Sequence, residues 1–346
     1  MRYLILLGVL ALAIVGYTVF WFSLSGRLEQ GVQQWAAAAQ AQGMQVEYKA
    51  VSVTGYPFRL IANVKDVDWH FPNAGGDLDW RAGQLRLVTE PWAKGHVIIL
   101  FDPHQTLTLT DAEGSTRDYV ITSDNARASL VMQQPGGARF AFAVNKLDVL
   151  ASASGQHMAA GELQFYLRDL PPKPADKKPD ASADPSLPTT AQADFMAKDV
   201  TLPSGRGGGL GDRINSLQAE VVVNGEIPGL RPDQLKGWVA SGGTMDITGF
   251  KADWGNLNLE AAGTLTLDDS NRPLGAFEAR FKGIQGVLDA LDLLGESDTS
   301  RHLARSALEA AESGRKGEWI KVPFTLQNGF FYLGSIPLTT LSPVTE

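Results

Sequence analysis

Residues 44–71 read MQVEYKAVSVTGYPFRLIANVKDVDWHF, and this stretch decides the fold class. Apolar and polar residues alternate along it with a period of two, interrupted around Gly55 and Pro57. The apolar positions are Val46 and Tyr48, then Val51 and Val53, then Phe58, Leu60, Ala62 and Val64, and finally Val67, Trp69 and Phe71. Such alternation is typical of strands that bury one face. The stretch therefore predicts several short, successive strands.

The interruption is Gly55-Tyr56-Pro57-Phe58. Glycine permits backbone angles that other residues avoid, and proline has no N–H to donate to a strand ladder. These residues predict a bend or bulge, with Tyr56 and Phe58 as packing anchors. A ligand site at the bend is the alternative interpretation.

Toward the N-terminus, residues 3–22 read YLILLGVLALAIVGYTVFWF and contain no charged side chain. About 20 apolar residues allow a helix to cross a hydrocarbon core roughly 30 Å thick. We therefore predict a membrane anchor over residues 1–23. The residues assigned to the anchor include Tyr3, Leu4, Ile5, Trp21 and Phe22. The two aromatic residues at its end are types that favour the membrane–water interface.

A cleaved secretory signal is the competing interpretation of this segment. A signal would have a shorter apolar core followed by small residues in an A-x-A-like arrangement, which residues 21–26 lack. The uncleaved single-pass anchor fits better. Arg2 and the α-amino group favour a cytoplasmic N-terminus by the charge-bias rule. The protein would then sit in an inner membrane, with its body in the periplasm if the cell is Gram-negative.

Residues 24–43 predict a helix that continues out of the membrane. Leu28, Val32, Trp35 and Ala39 recur at spacings of three and four, which places them on one helical face. We expect this helix to pack against the first strands of the body. A stalk that holds the body away from the bilayer is the alternative.

The body divides by composition into two β-rich regions, residues 44–170 and 193–346. Residues 171–192 between them are rich in Pro, Lys and Asp, and such a segment cannot bury enough apolar surface to offset its ordering entropy. It predicts either a linker between two domains or a long loop within one. Residues 204–211, SGRGGGLG, predict a second flexible stretch.

The last region combines strands with two helices and a hairpin. Residues 283–294 and 299–313 show helical periodicity, and Asp298 is placed to cap the second helix. Asn328-Gly329 joins two apolar runs and is the strongest short signal for a β-hairpin. The whole pattern predicts a mainly β fold of antiparallel sheets, arranged as an open curved sheet, a sandwich or a half-barrel. One N-terminal transmembrane helix and the short C-terminal helical pair complete it.

Composition excludes several classes of function. The chain has no cysteine, which rules out disulfides and thiolate chemistry, and its formal net charge of −8 argues against a nucleic-acid partner. Its five histidines form no H-E-x-x-H or H-x-E pattern, and no G-x-S-x-G is present. Asp102-Pro103-His104 could supply two metal ligands but fits a polar turn better. We therefore expect a protein without catalytic residues, cofactor or metal.

Several turn motifs resemble those of a known family. They are Gly55-Tyr56-Pro57-Phe58-Arg59, Gly263-Thr264-Leu265-Thr266-Leu267-Asp268, Arg272-Pro273-Leu274-Gly275, Asn328-Gly329 and Gly334-Ser335-Ile336-Pro337. Together with the anchor, they look like domain-of-unknown-function family 2125. The resemblance implies a membrane-anchored protein of Gram-negative bacteria with no assigned activity. Residues 257–283 are also loosely similar to the C-terminal repeats of AsmA-like envelope proteins.

Three functional hypotheses follow. The first is an inner-membrane-anchored envelope protein that binds or passes a lipid in an apolar groove of its sheet. The second is a scaffold that holds other envelope proteins through a sheet edge or loop. The third is a hydrolase, which would need Asp102, His104 or the acidic residues of the strands to meet in one cleft. An open, apolar sheet would favour the first hypothesis, and a closed, filled one would count against it.

Overall fold

A computed structural model describes the chain over residues 2–41, 43–73, 76–93, 95–133, 136–169, 187–225, 232–293, 298–312 and 318–344. The predicted fold class is confirmed, because antiparallel strands form most of the regular structure. The contacts within the chain define two units. Unit 1 comprises Met1–Met132 and Phe142–His157, and unit 2 comprises Gln133–Ala141 and Met158–Glu346.

Helix α1 (Arg2–Ala41) runs without interruption for 40 residues. Its first half is apolar and exposed, with Tyr3 83% and Leu4 73% accessible. Within the described part of the chain it is the one helix long and apolar enough to cross a membrane. Its second half packs instead, since Val32 and Ala39 are buried against strands of unit 1. This half therefore lies on the body, as predicted, and does not form a free stalk.

The remaining regular structure of unit 1 is a set of antiparallel strands. These are β1 (Gln45–Glu47), β2 (Ala50–Thr54), β3 (Leu60–Asn73), β4 (Gly76–Thr89), β5 (His96–Phe101), β6 (His104–Asp111) and β7 (Thr116–Met132). Strand β3 pairs with β1, β2 and β4, while β5 and β6 each pair with both β4 and β7. Strand β8 (Ala138–Ala151) contributes residues to each unit.

Two of these strands are longer than the sequence pattern indicates. The runs ending at Val64 and beginning at Val67 form one strand, β3. Residues 119–122 and 126–132, which the sequence pattern predicts as two strands, likewise form one strand, β7. Asp66 and Asn125 have positive φ values of 51° and 53°, so each shifts the side-chain alternation without ending the strand. Aspartate and asparagine tolerate this conformation better than other non-glycine residues.

Unit 2 is a meander in which each strand pairs antiparallel with the next. Its strands are β9 (His157–Asp169), β10 (Thr189–Thr201), β11 (Arg213–Asn224), β12 (Thr244–Trp254), β13 (Leu257–Leu267), β14 (Pro273–Lys282), β15 (Ile320–Gln327), β16 (Phe330–Leu333) and β17 (Ile336–Thr340). The predicted linker lies largely outside the described residues, which stop at 169 and resume at 187. Its last four residues belong to β10.

Helices α3 (Ile284–Leu293) and α4 (Asp298–Glu312) form the predicted C-terminal pair. Their apolar faces close the core of unit 2 over the strands. The most deeply buried large side chains of this core are Phe281, Leu288, Leu308 and Ile320. The pattern missed a third helix, α2 (Pro232–Ala240), whose nine residues are too few to show a clear period.

The glycine-rich residues 204–211 form a loop that is held by hydrogen bonds and by one buried side chain, and their flexibility stays a prediction. The carboxylate of Asp212 accepts hydrogen bonds from the N–H groups of Gly205 at 2.7 Å and Gly207 at 2.8 Å. These bonds hold the pKa of Asp212 below its usual value. Leu210, in the same loop, is buried in the core of unit 2. Composition alone could not show that one carboxylate and one leucine would hold the loop.

Candidate functional site

An apolar groove of about 310 Å³ lies in unit 1 between helix α1 and the strands. Helix α1 supplies one wall with Leu28, Gly31, Val32 and Trp35. These positions are spaced by three and four residues, so they share one helical face. Gly31 has no side chain, and nothing lies within 4 Å of where its Cβ would be. The groove is therefore open beside this residue.

The opposite wall comes from one face of the sheet. Its residues are Val64 and Val67 of β3, Leu85 and Leu87 of β4, Val97 and Ile99 of β5, and Leu130 of β7. The strand register explains why they share a face, because Leu87 lies opposite Ile99 and Val97 lies opposite Leu130. Alternate residues of a strand point to the same face of the sheet, so the period of two also places these apolar side chains on one wall.

Two tryptophans, Trp35 and Trp69, line the groove farther along α1. The ring of Trp35 lies 5.3 Å from that of Trp69, and Trp69 lies 5.0 Å from Trp80. Trp80 is buried and donates its indole N–H to Gln105 at 2.8 Å. That bond satisfies the one polar atom of the indole and orients the ring.

The groove offers no chemistry of its own. Among the described residues that line it there is no carboxylate, amine, guanidinium or imidazole, and Tyr48 carries the only hydroxyl. Acid–base or nucleophilic catalysis requires such groups. What the walls can do is hold an apolar group away from water.

The Gly55–Phe58 bend forms a second feature of unit 1, which we call the clamp loop (residues 55–59). Trp21 donates its indole N–H to the carbonyl oxygen of Arg59 at 3.0 Å, and Thr18 shares a 2.8 Å hydrogen bond with the hydroxyl of Tyr56. The hydroxyl of Tyr17 also bonds the carbonyl oxygen of Pro57. The loop is therefore fastened to α1 at the end of its apolar run.

The two aromatic rings of the clamp loop differ in how they pack. Tyr56 lies edge-on to Trp21, with 5.5 Å between ring centroids, and stacks at 6.4 Å on Phe22. Phe58 is 69% exposed. The predicted packing role therefore applies to Tyr56 and is wrong for Phe58. Tyr17 and Thr18 were not among the predicted residues, and their polar atoms within an apolar run were the available signal.

Two predicted motifs of unit 2, the turn at Asp268–Arg272 and the Asn328-Gly329 hairpin, meet at one corner of its sheet. The hairpin predicted at Asn328-Gly329 joins β15 to β16, and both of its turn residues have positive φ. A Cβ on Gly329 would collide with the guanidinium of Arg272, and one on Gly263 would collide with the carbonyl oxygen of Ala276. Gly263 is required by this close backbone approach, whereas Gly329 is favoured by its φ of 74°, and both are structural roles.

Asp268 organises the turn that leads to this corner. Its carboxylate accepts hydrogen bonds from the backbone N–H groups of Ser270 and Arg272 at 2.8 and 2.9 Å, and pairs with the Arg272 guanidinium at 2.8 Å. Burial acts to raise the pKa of Asp268, but the hydrogen bonds from Arg272 and Ser270 outweigh it and hold the pKa below its usual value.

We expect Asp268→Asn to lower the stability of unit 2 by about 1.5 kcal/mol at pH 7, because it removes a charge-assisted network. Because the pKa of Asp268 is lower in the folded protein than the value of about 3.9 in the unfolded chain, its carboxylate stabilises the folded protein above about pH 4. This stabilisation is lost as the pH falls through the folded-state pKa. The difference from the wild type should therefore shrink below about pH 4. Thermal unfolding at pH 7 and pH 3 measures it, with Asp269→Asn in the same turn as the control. An equal loss in both variants would contradict the assignment.

The Asp102-Pro103-His104 segment, the remaining candidate for a metal site, is a turn. Asp102 accepts the backbone N–H of His104 at 2.9 Å, so these residues form the turn between β5 and β6 that the sequence favoured. Across the described ranges, no group of three His, Asp or Glu side chains is placed to hold a metal ion.

These features define a class of protein: a β-rich body with one helix long enough to cross a membrane and an apolar groove beside that helix. The chain belongs to the family described as uncharacterized protein conserved in bacteria (DUF2125), whose model matches residues 21–342. The predicted family is thus confirmed, while the looser likeness to AsmA-like proteins stays a prediction. No curated protein matches the chain.

Proposed function

We propose that this protein is a non-enzymatic, inner-membrane-anchored component of the bacterial envelope that holds the acyl chain of a lipid in the apolar groove. The observation that carries the proposal is the groove itself, whose lining is aliphatic and aromatic. Binding of an acyl chain in such a site is favourable because the chain leaves water, and each buried CH₂ contributes about 0.8 kcal/mol of binding free energy.

The position of the groove along α1 supports a lipid over other apolar ligands. Its first helical wall residue, Leu28, follows Phe22 by six residues, which is about 9 Å along a helix axis. A groove that begins so close to the end of the apolar run would receive a chain from the outer layer of a bilayer over a short distance. In this proposal the N-terminus is cytoplasmic and the body is periplasmic, in accord with Arg2.

The test is to identify lipids bound to the body. A protease site placed after Phe22 in the full chain would separate residues 23–346 from the anchor, and mass spectrometry would quantify the lipid that the purified body retains. We expect close to one lipid per chain. A body that is folded yet carries no lipid would refute the proposal and leave the envelope scaffold as the working hypothesis.

A further inference from the structure

Unit 1 exposes a group of large apolar side chains at one end of its sheet. The group, which we call the apolar rim, consists of Tyr56, Phe58, Trp92 and Met132. Their exposed fractions are 47%, 69%, 60% and 57%. Large apolar side chains clustered on a surface mark a site where something other than water is in contact with the protein.

The strand register shows that these residues share one end of the sheet. Leu60, which follows the clamp loop, lies opposite Thr89, which precedes the loop that carries Trp92. The hydroxyl of Thr89 donates to the carbonyl of His96 at 2.8 Å, and the N–H of Met132 donates to the carbonyl of Gly95 at 2.7 Å. The β2–β3 and β4–β5 connections and the end of β7 therefore meet at this end.

The same end is fastened to the apolar half of helix α1. Tyr56 is hydrogen-bonded to Thr18, whose short side chain keeps the two residues at one level along the helix. Thr18 lies four residues before Phe22, or about 6 Å inside the end of the predicted span. A span over residues 3–22 therefore carries the clamp loop to the depth of the lipid headgroups or just below them.

From this placement we infer that the apolar rim is a second membrane contact, in which Phe58 and Trp92 insert into the outer layer of the bilayer beside helix α1. Aromatic residues favour this interface because an apolar ring and, in tryptophan, a polar N–H suit its two sides. The exposed Arg59 adjoins Phe58 and is suited to binding lipid phosphate.

This second contact would fix the orientation of unit 1 at the membrane, which a single span does not. A lone span leaves a body free to tilt and rotate, whereas two loops resting on the bilayer beside that span would hold unit 1 in one orientation. Val97 and Leu130, which line the apolar groove, lie on strands that end at the rim. The rim would therefore keep that part of the groove at the bilayer surface. The inference rests on the anchoring proposed above, but not on a lipid in the groove.

The chain has no cysteine, so single cysteines can carry a fluorescent nitrobenzoxadiazole label. The labelled full chain would be reconstituted into vesicles of phosphatidylethanolamine and phosphatidylglycerol that contain lipids spin-labelled near the headgroup. We expect the label in Phe58→Cys and Trp92→Cys to emit at shorter wavelength than in water and to be quenched severalfold more than at the control position. The control is Ala112→Cys, in the exposed β6–β7 turn at the opposite end of the sheet.

A label in Leu10→Cys, at the middle of the predicted span, reports on the anchor separately. If the label at residue 10 is deeply buried in lipid while those at residues 58 and 92 behave like the one at 112, the rim is not a membrane contact and the anchor stands. If the label at residue 10 is also in water, the anchoring and the rim both fail. Neither result depends on whether the groove holds a lipid.

Discussion

Gly31→Trp should remove the bound lipid from the body. Gly31 lines the apolar groove, and its missing side chain leaves open space within 4 Å. An indole placed there occupies the volume that an acyl chain would use. We expect the lipid recovered per chain to fall at least about tenfold, which requires more than about 1.4 kcal/mol of lost binding because the wild-type site is close to saturation. Mass spectrometry of the released body measures this loss.

Gly26→Trp is the matched control for this change. Gly26 lies in the same helix, also has nothing within 4 Å of its Cβ position, and does not line the groove. Both substitutions replace a helical glycine, so each gains a few tenths of a kcal/mol of helix propensity. Lipid content that is unchanged in Gly31→Trp, or reduced equally in both variants, would show that the groove is not the binding site.

The largest expected effect on stability comes from Phe281→Ala. Phe281 is fully buried in the core of unit 2, where it lies opposite Ile320 and Leu259 on neighbouring strands. Removal of a buried phenyl ring leaves a cavity and costs about 3–5 kcal/mol. For a unit of this size we expect the melting temperature to fall by roughly 6–20 °C. Differential scanning calorimetry, with hydrogen exchange of the amides of β13–β15 to assign the transition, measures it.

The control is Leu274→Ala in the same strand. Leu274 is 38% exposed, so its truncation should cost much less than that of Phe281. If both variants melt at the same temperature, the core of unit 2 does not depend on Phe281 as its burial indicates.

The fold class was predictable because both of its signals are local. The period of two around Val64 and the long apolar run from Tyr3 each follow from the chain's own order. The limits of the strands were not predictable to the same degree. Asp66 and Asn125 shift the alternation through single positive φ values, and the stability of that conformation depends on the neighbouring strand.

For the candidate site, the sequence indicated which apolar residues are present but not how they are arranged. The apolar stripe of Leu28, Val32 and Trp35 was visible, and packing against the first strands was expected. Whether a groove forms beside Gly31 depended on the distance between helix α1 and the sheet. Such a distance is set by all the side chains of both elements together.

For the clamp loop, too, the sequence predicted the local bend, and the tertiary structure decided which ring packs. Gly55 and Pro57 in sequence indicate a bend, because their backbone limits are properties of the single residues. Whether Tyr56 or Phe58 packs was decided by the partners that α1 brings to the loop, about 38 residues away in sequence.

By itself, the amino-acid sequence determined the mainly β fold, the apolar N-terminal helix, the Asn328-Gly329 hairpin and the family. Each depends on residue types at fixed spacing. The tertiary structure alone decided the groove, the fastening of the clamp loop to α1 and the gathering of exposed rings at one sheet end. These features depend on distances between segments that are remote in the chain, and such distances are set only when the whole unit is packed.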